Sequence, residues 1–387
     1  MSCRFCSCIL FVFLIMILPS CDVDVIQDLV NTSLATQPQV GLILSVDRRI
    51  STKYGAQLAL AEINAEGGIL GQSLNILVRD SQGDAQKAAQ AAEELISEHE
   101  VAAIIGPNFS GNAAKVGEVA QRLSTPMVAT TATNPKVTAA GDFVFLAAFA
   151  DTFQGQVMAS FAHRQLKAKT VALLVEEGNL YVEGLAQIFA DNFTALGGQV
   201  VSQQTYASGD LDFVPQLTAI AAQTPDIIFA PGFAPEVPLA AKQARTIPQK
   251  NASGITATFL GGDSWESQKF LDASGPEMNG SYFSSMFSDQ ATQAETVGFI
   301  QAYRSMFGIA PDKAAAMGYD ALKLVATAMR RAGSMEKAVV RDQIAATRGY
   351  QGATTIWQYD ANRHPKKSAV IFKIQDGRMQ FQQQILP

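Results

Sequence analysis

Residues 101–135 read VAAIIGPNFSGNAAKVGEVAQRLSTPMVATTATNP, and this stretch decides the predicted fold. The apolar run at residues 101–105 predicts a strand buried on both faces, and Gly106-Pro107 ends that strand with a turn. A helical pattern then runs to Ser124, and residues 126–129 form a second short apolar run. A connection of this length implies that the two strands are parallel neighbours joined by a right-handed crossover. The stretch therefore predicts part of an open α/β sheet.

Polar residues follow both of these strands at the points where they end. Gly111 and Asn112 open the helix, so Ser110 and the nearby N–H groups face an electropositive end that suits an anion. Thr131 and Thr133 follow the second strand, and open α/β sheets bind ligands at the carboxyl ends of their strands. The pattern predicts a cradle of hydroxyl and amide groups for a small carboxylate. The alternative is that Ser110 caps a helix and the threonines fill a turn.

The same alternation of strand and helix patterns extends to both sides of this stretch. Upstream, residues 40–46 and 74–78 predict strands, each followed by a helix, and residues 143–149 predict another strand downstream. A second series of strands and helices begins near residue 170 and runs to residue 261. Two similar α/β series in succession favour two Rossmann-like lobes with a cleft between them over one large sheet.

The last part of the chain has a different order of elements. It predicts a strand at 281–285, helices at 292–307, 313–332 and 335–347, and strands at 352–359 and 368–374, with a hairpin turn at Asp376-Gly377. We expect the late helices to cover the first lobe, so that several crossings of the chain form the hinge. This organisation assigns residues 39–151 and 287–365 to lobe 1, and residues 152–286 and 366–387 to lobe 2.

The N-terminus predicts export. Arg4 precedes ten apolar residues at 9–18, which match a signal-peptide core and are too short to span a bilayer. The sequence Leu18-Pro19-Ser20-Cys21 resembles the lipobox of bacterial lipoproteins, so we predict a signal peptide at 1–20, lipid attachment at Cys21 and a tether at 21–38 that anchors the protein at the membrane. The alternative is ordinary signal cleavage beside an incidental cysteine.

Composition and motifs exclude several classes of function. The 387 residues carry a net charge of -6, with a pI of about 5.2, and no basic cluster interleaved with aromatic residues points to nucleic acid. All four cysteines lie within the first 21 residues, so we expect neither a disulfide nor a thiolate metal site in the folded body. The sequence has no Gly-x-Ser-x-Gly, HExxH, P-loop or dinucleotide motif, so we predict neither an enzyme nor a cofactor.

Five short motifs carry a resemblance to a known family. They are Tyr54-Gly-Ala, INAEGGILG at 63–71, IIGP at 104–107, ATNP at 132–135 and GYDA at 318–321. Over residues 38–375 the chain resembles the periplasmic binding proteins of type 1, in particular the branched-chain amino-acid-binding group that serves ABC importers. The resemblance implies capture of an amino acid or a related carboxylate between two lobes, and delivery to an ABC permease in the inner membrane. The alternative is a ligand-sensing module of the same fold.

The resemblance also implies roles for seven residues. On lobe 1, the ligand carboxylate is expected at Ser110, the Thr131 backbone and Thr133, with Tyr54 lining the side-chain pocket. On lobe 2, Asp263 and the rings of Tyr181 and Phe233 are expected to receive the α-ammonium group and close over the ligand. The group usually has tyrosine and glutamate where this chain has Phe233 and Asp263. The resemblance therefore does not determine the identity of the ligand's side chain. Alternatively, Asp263 caps a helix, Tyr181 completes a core, and Phe233 packs a loop.

Overall fold

A computed structural model describes residues 37–250 and 252–387. The predicted signal peptide, Cys21 and all but the last two residues of the predicted tether lie outside the described residues. Within the described part of the chain, no helix combines the length and the apolar character that a membrane span requires.

The first sheet has five strands in the order β2-β1-β3-β4-β5, and all of its pairings are parallel. Its central strand β3 is fully buried because its three side chains are apolar and helices cover both faces. The elements are β1 (Gln39–Leu44), α1 (Val46–Ala65), β2 (Asn75–Asp80), α2 (Ala85–Ser97), β3 (Ala103–Ile105), α3 (Ser110–Arg122), β4 (Met127–Ala129) and β5 (Val144–Leu146).

The second sheet has seven strands in the order β15-β14-β10-β9-β8-β6-β7. The pairings from β7 to β10 are parallel, and β14 and β15 add an antiparallel hairpin at one edge. The elements are α4 (Asp151–Ser160), β6 (Thr170–Glu176), α5 (Leu180–Ala195), β7 (Gln199–Tyr206), α6 (Val214–Gln223), β8 (Ile227–Phe229), α7 (Glu236–Ala244), β9 (Thr258–Gly261), α8 (Gln268–Ala273), β10 (Tyr282–Ser285), β14 (Ala369–Gln375) and β15 (Arg378–Ile385).

Between β10 and β14 the chain returns to the first sheet. The elements there are α9 (Ala294–Phe307), α10 (Lys313–Ala332), α11 (Lys337–Ala345), β11 (Arg348–Gln351), β12 (Thr355–Tyr359) and β13 (Pro365–Lys366). Helix α10 packs along α1, and β11, β12 and β13 form a small antiparallel sheet. The predicted α/β class with two Rossmann-like lobes is confirmed, and the chain passes between the two sheets three times. The residue bounds of the lobes stay a prediction.

Two predictions for the last part of the chain, a strand and a hairpin turn, can be compared with the structure. The strand predicted at 352–359 is confirmed for Thr355–Tyr359, which form β12, whereas residues 352–354 form a turn between β11 and β12. The buried carboxylate of Asp320 accepts the backbone N–H groups of Ala353 and Thr354 at 2.8 and 3.0 Å and so holds that turn. The hairpin turn predicted at Asp376-Gly377 is confirmed, since both residues have positive φ and join β14 to β15.

Candidate functional site

The carboxyl ends of the parallel strands in both sheets border one cavity of about 520 Å³. Topology places this cavity where open α/β sheets bind ligands. Side chains that follow β1, β3 and β4 line it from one side, and side chains that follow β6, β8 and β9 line it from the other. The main lining residues are Arg48, Arg49, Asn108, Phe109, Ser110, Gly111, Asn112, Thr131, Glu176, Tyr181, Phe233, Glu236, Asp263, Ser264, Lys269 and Lys313.

The start of α3 presents hydrogen-bond donors to this cavity. Ser110 is the first residue of the helix, and Phe109 rather than Ser110 occupies the capping position. The Ser110 hydroxyl oxygen accepts the Asn134 backbone N–H at 3.3 Å, which leaves its proton available to a ligand. Among the described residues, the backbone N–H groups of Gly111 and Asn112 have no acceptor, and neither does the buried side-chain amide nitrogen of Asn112. These donors suit an anionic group.

The two predicted threonines lie at different depths relative to the cavity. Thr131 lines the cavity, and its hydroxyl donates to the Asn108 carbonyl at 3.0 Å. Thr133 is fully buried and does not line the cavity. Its hydroxyl lies near the buried carboxyl of Asp151, although the two make no hydrogen bond. Thr131 therefore reaches the cavity directly, whereas Thr133 lies behind it.

On the opposite side, the carboxylate of Asp263 is held by three side chains. One oxygen, Oδ1, accepts Gln154 Nε2 at 3.2 Å and the Tyr181 hydroxyl at 3.0 Å. The other, Oδ2, lies 2.7 Å from Nζ of Lys313. Asp263 and Lys313 are both at least 95% buried. Asp263 makes no side-chain cap on its short helix, so it serves the cavity wall and not a helix end.

A second buried acid lies beside this pair. Asp151 is fully buried, and neither of its carboxyl oxygens has a hydrogen-bond partner among the described residues. Burial raises the pKa of Asp151 well above its usual range, and the charge of Asp263 raises it further. Burial also raises the pKa of Tyr181, with Asp263 contributing in the same direction. Burial therefore favours the protonated form of Asp151, in which its carboxyl group is a hydrogen-bond donor, and keeps the Tyr181 hydroxyl protonated as a donor.

Aromatic rings from both sides meet across the cavity. The rings of Phe109 and Phe233 lie edge to face with centroids 6.0 Å apart, and Tyr181 lies 5.6 Å from Phe233. The guanidinium carbon of Arg48 lies 4.7 Å from the Phe109 centroid, and that of Arg49 lies 5.5 Å from it. Within the described residues neither arginine forms an ion pair, and both guanidinium groups make cation–π contact with the Phe109 ring.

The remaining sequence-derived residues lie away from the lining. Tyr54 stacks on Phe307 with centroids 5.1 Å apart and does not border the cavity. Trp265 is fully buried, donates from its indole N–H to the Ala230 carbonyl at 3.1 Å, and stacks on Phe270. Trp265 is therefore a buried anchor of the second sheet's core and does not border the cavity.

Several lining residues were not found from the sequence. Arg48 and Arg49 lie in the first turn of α1, just after β1, and the rule that strand ends form the site was a signal for them. Lys313 had no such signal, because it lies 50 residues from Asp263 and reaches it only through the packing of α10. Asn112 was recognised as a helix start but not as a side-chain donor.

A model of the periplasmic binding protein family matches residues 49–378. The chain belongs to this family. The predicted membership of the branched-chain type 1 group is also confirmed by individual relatives. The Leu/Ile/Val-binding protein BraC3 of Rhizobium johnstonii is 29% identical over 287 residues, covering 74% of this chain and 76% of the relative.

Solved structures from this family share the fold closely. The leucine-binding protein LivK of Thermotoga maritima matches with a TM-score of 0.84 and 31% identity, covering 90% of this chain and 99% of that one. The transporter substrate-binding protein LivJ of Streptococcus pneumoniae, solved with isoleucine, matches with a TM-score of 0.82 and 28% identity. The match covers 91% of this chain and 100% of LivJ. BraC3 and LivK are binding proteins and LivJ is a transporter substrate-binding protein. This chain is likewise a binding protein of the family and not an enzyme, as predicted.

Proposed function

We propose that the protein is an extracytoplasmic solute-binding lipoprotein that captures an amino acid or a related small carboxylate and delivers it to an ABC permease. The observation that carries this proposal is the set of free donors at the start of α3. The Ser110 hydroxyl and the N–H groups of Gly111 and Asn112 line a cavity of about 520 Å³. Cavities of roughly 300–1,000 Å³ with a few convergent polar groups are typical ligand sites.

In this proposal the two lobes bind the ligand from opposite sides. Lobe 1, residues 39–151 and 287–365, supplies Ser110 and Thr131 for the carboxylate, with Thr133 supporting them from behind. Lobe 2, residues 152–286 and 366–387, supplies Tyr181 and Phe233. Because only the closed arrangement completes both sets of contacts, ligand binding favours closure. The inner-membrane permease then receives the closed, loaded protein.

Calorimetry on refolded, ligand-free protein tests the binding site. A panel of amino acids and small organic acids identifies the tightest ligand, and Ser110→Ala is then titrated with it. A hydrogen bond to a charged group contributes about 1.5–3 kcal/mol, so affinity should fall by roughly tenfold or more. Ser160→Ala, at the end of α4 and outside the cavity, is the control and should keep full affinity. An unchanged affinity in Ser110→Ala would contradict the carboxylate site.

The lipid anchor and the transport role need separate tests. Labelled palmitate should enter the wild-type protein, and Cys21→Ser should lose both the label and the membrane fraction. Recovery of unlabelled wild-type protein in the soluble fraction would count against the anchor. Cells that lack the gene should take up the identified ligand more slowly, and normal uptake would argue for sensing instead of transport.

A further inference from the structure

The cavity wall that faces Ser110 already contains an ammonium group of the protein itself. We infer that the ligand is a small 2-oxo or 2-hydroxy acid, whose α-substituent accepts a hydrogen bond from Lys313, and not an α-amino acid. This inference rests on the proposed function, because it specifies the class of carboxylate that the same cavity takes.

Asp263 is the acid that would receive an α-ammonium group, and its charge is already neutralised by the protein. Asp263 accepts hydrogen bonds from Gln154 and Tyr181 on one oxygen, and Lys313 Nζ lies 2.7 Å from the other. Both members of the pair are almost fully buried. An ammonium group placed within hydrogen-bond distance of the same carboxylate would lie only a few ångströms from the Lys313 charge. Like charges at that separation repel strongly where water is excluded.

Lys313 is held in this position by its own helix. It is the first residue of α10, Asp312 caps that helix by accepting the Ala315 N–H at 2.8 Å, and the Lys313 N–H donates to Glu266 at 3.0 Å. The side chain also donates to the Asp263 carbonyl. The lysine is therefore a fixed part of the wall and cannot be displaced by a ligand without breaking these contacts.

The Lys313 ammonium group has one further donor. An ammonium group carries three N–H bonds, and the contacts of Lys313 with the Asp263 carbonyl and carboxylate use two of them. Lys313 borders the cavity and its Nζ has no third acceptor among the described residues, which leaves one N–H for a ligand oxygen. A 2-oxo or 2-hydroxy oxygen accepts such a bond, whereas an α-ammonium group has no lone pair to accept it.

The other carboxylates in the cavity do not replace Asp263. Glu236 accepts the Gly209 N–H at 3.0 Å, and burial raises the pKa of Glu176, which disfavours its charged form. Glu177 is exposed at the rim, where solvent screens it. Burial and the charge of Asp263 raise the pKa of the neighbouring acid Asp151, which disfavours its charged form. Arg49 lies in the same cavity without an ion pair among the described residues, which adds to the preference for oxygen acceptors over a cation.

Matched ligand pairs test this inference on the wild-type protein. Calorimetry compares leucine with 4-methyl-2-oxopentanoate and 2-hydroxy-4-methylpentanoate, and likewise alanine with pyruvate and phenylalanine with phenylpyruvate. For the side chain that binds best, we expect the oxo or hydroxy acid to bind at least tenfold more tightly than the amino acid. Equal or tighter binding of the amino acid would overturn the inference and leave the proposed function standing. Binding of none of these compounds, nor of any other small carboxylate, would overturn both.

A variant tests the role of the lysine directly. Lys313→Met removes the ammonium group, keeps the length of the side chain and leaves Asp263 free for a ligand cation. We expect the preference to move at least tenfold towards the amino acid. The control is Lys115→Met, an exposed lysine of α3 outside the cavity, which should keep the wild-type preference. An unchanged preference in folded Lys313→Met would refute the role of Lys313, and the ligand pairs on wild-type protein decide the matter if that variant does not fold.

Discussion

Lys313 Nζ lies 2.7 Å from Asp263 Oδ2, and this ion pair joins α10, which packs on the first sheet, to the end of β9 in the second sheet. The pair lies in the cavity wall and is almost completely shielded from solvent. It therefore has two consequences: it sets the charge that a ligand meets, and it couples the stability of the fold to the cavity.

Breaking this pair should destabilise the protein strongly. Asp263→Ala leaves the Lys313 charge buried without its partner, and loss of one member of a buried pair costs about 3–5 kcal/mol. The double variant Asp263→Asn with Lys313→Met removes both charges and should recover most of that loss. Urea denaturation of the two variants measures this. The exposed pair of Lys115 and Glu118 is the control, since Glu118→Ala should cost less than about 1 kcal/mol. A loss that small for Asp263→Ala would contradict the burial of the pair.

The stability of the protein should depend on pH through Glu266. Burial raises the pKa of this carboxyl from an ordinary 4.5 to about 7. The folded state therefore binds more protons than the unfolded state between these values, so the free energy of unfolding falls as pH rises from 4.5 to 7. At about 1.4 kcal/mol per pH unit, the loss is roughly 3 kcal/mol.

Glu266→Gln isolates this contribution because glutamine does not titrate. Its unfolding free energy relative to wild type should rise by roughly 3 kcal/mol between pH 4.5 and 7.5, measured by urea denaturation across that range. The exposed Glu295→Gln on α9 is the matched control and should follow the wild-type curve. A constant difference between wild type and Glu266→Gln would show that Glu266 is not protonated in the folded state at pH 6.

Two glycines let α1 and α10 approach each other. A Cβ atom at Gly55 would lie 1.9 Å from the Ala315 carbonyl oxygen, and one at Gly318 would lie 2.2 Å from that of Thr52. Gly55→Ala should therefore cost about 1–3 kcal/mol or more, because the backbones must separate. Gly298→Ala is the control, since that glycine is exposed on α9 with open space around it and alanine should stabilise the helix by about 0.5–1 kcal/mol. Thermal denaturation compares the two variants. Similar melting temperatures for Gly55→Ala and Gly298→Ala would contradict the close approach of α1 and α10.

One hydrogen bond joins the two sides of the cavity at its edge. Asn134 Nδ2 donates to the Leu180 carbonyl at 2.8 Å, and a Cβ atom at Gly184 would lie 2.2 Å from that amide nitrogen. Gly184→Ala should displace the amide and weaken ligand binding by about 0.5–1.5 kcal/mol, which is a few-fold to about tenfold in affinity. Calorimetry with Asn134→Ala and the double variant is the check: once the amide is absent, Gly184→Ala should have little further effect. If the losses of affinity add up in the double variant, Gly184→Ala does not act through the Asn134 amide.

The sequence by itself determined the order of the elements and most of the residues at the cavity. Apolar periodicity and the turn residues identified both α/β series, because each element's pattern depends on which of its own faces is buried. Ser110, Thr131, Tyr181, Phe233 and Asp263 all follow strand ends or begin helices, and the structure brings all five to one cavity. Their contact with a ligand stays a prediction.

Only the tertiary structure decided which charges and rings meet in that cavity. The pairing of Lys313 with Asp263 depends on how closely α10 packs on α1, which no local pattern reports. The packing of α9 on α1 places Tyr54 on Phe307, outside the lining. Local sequence patterns report whether a side chain is buried, whereas the partner of a buried charge is set by contacts between segments that are far apart in the chain.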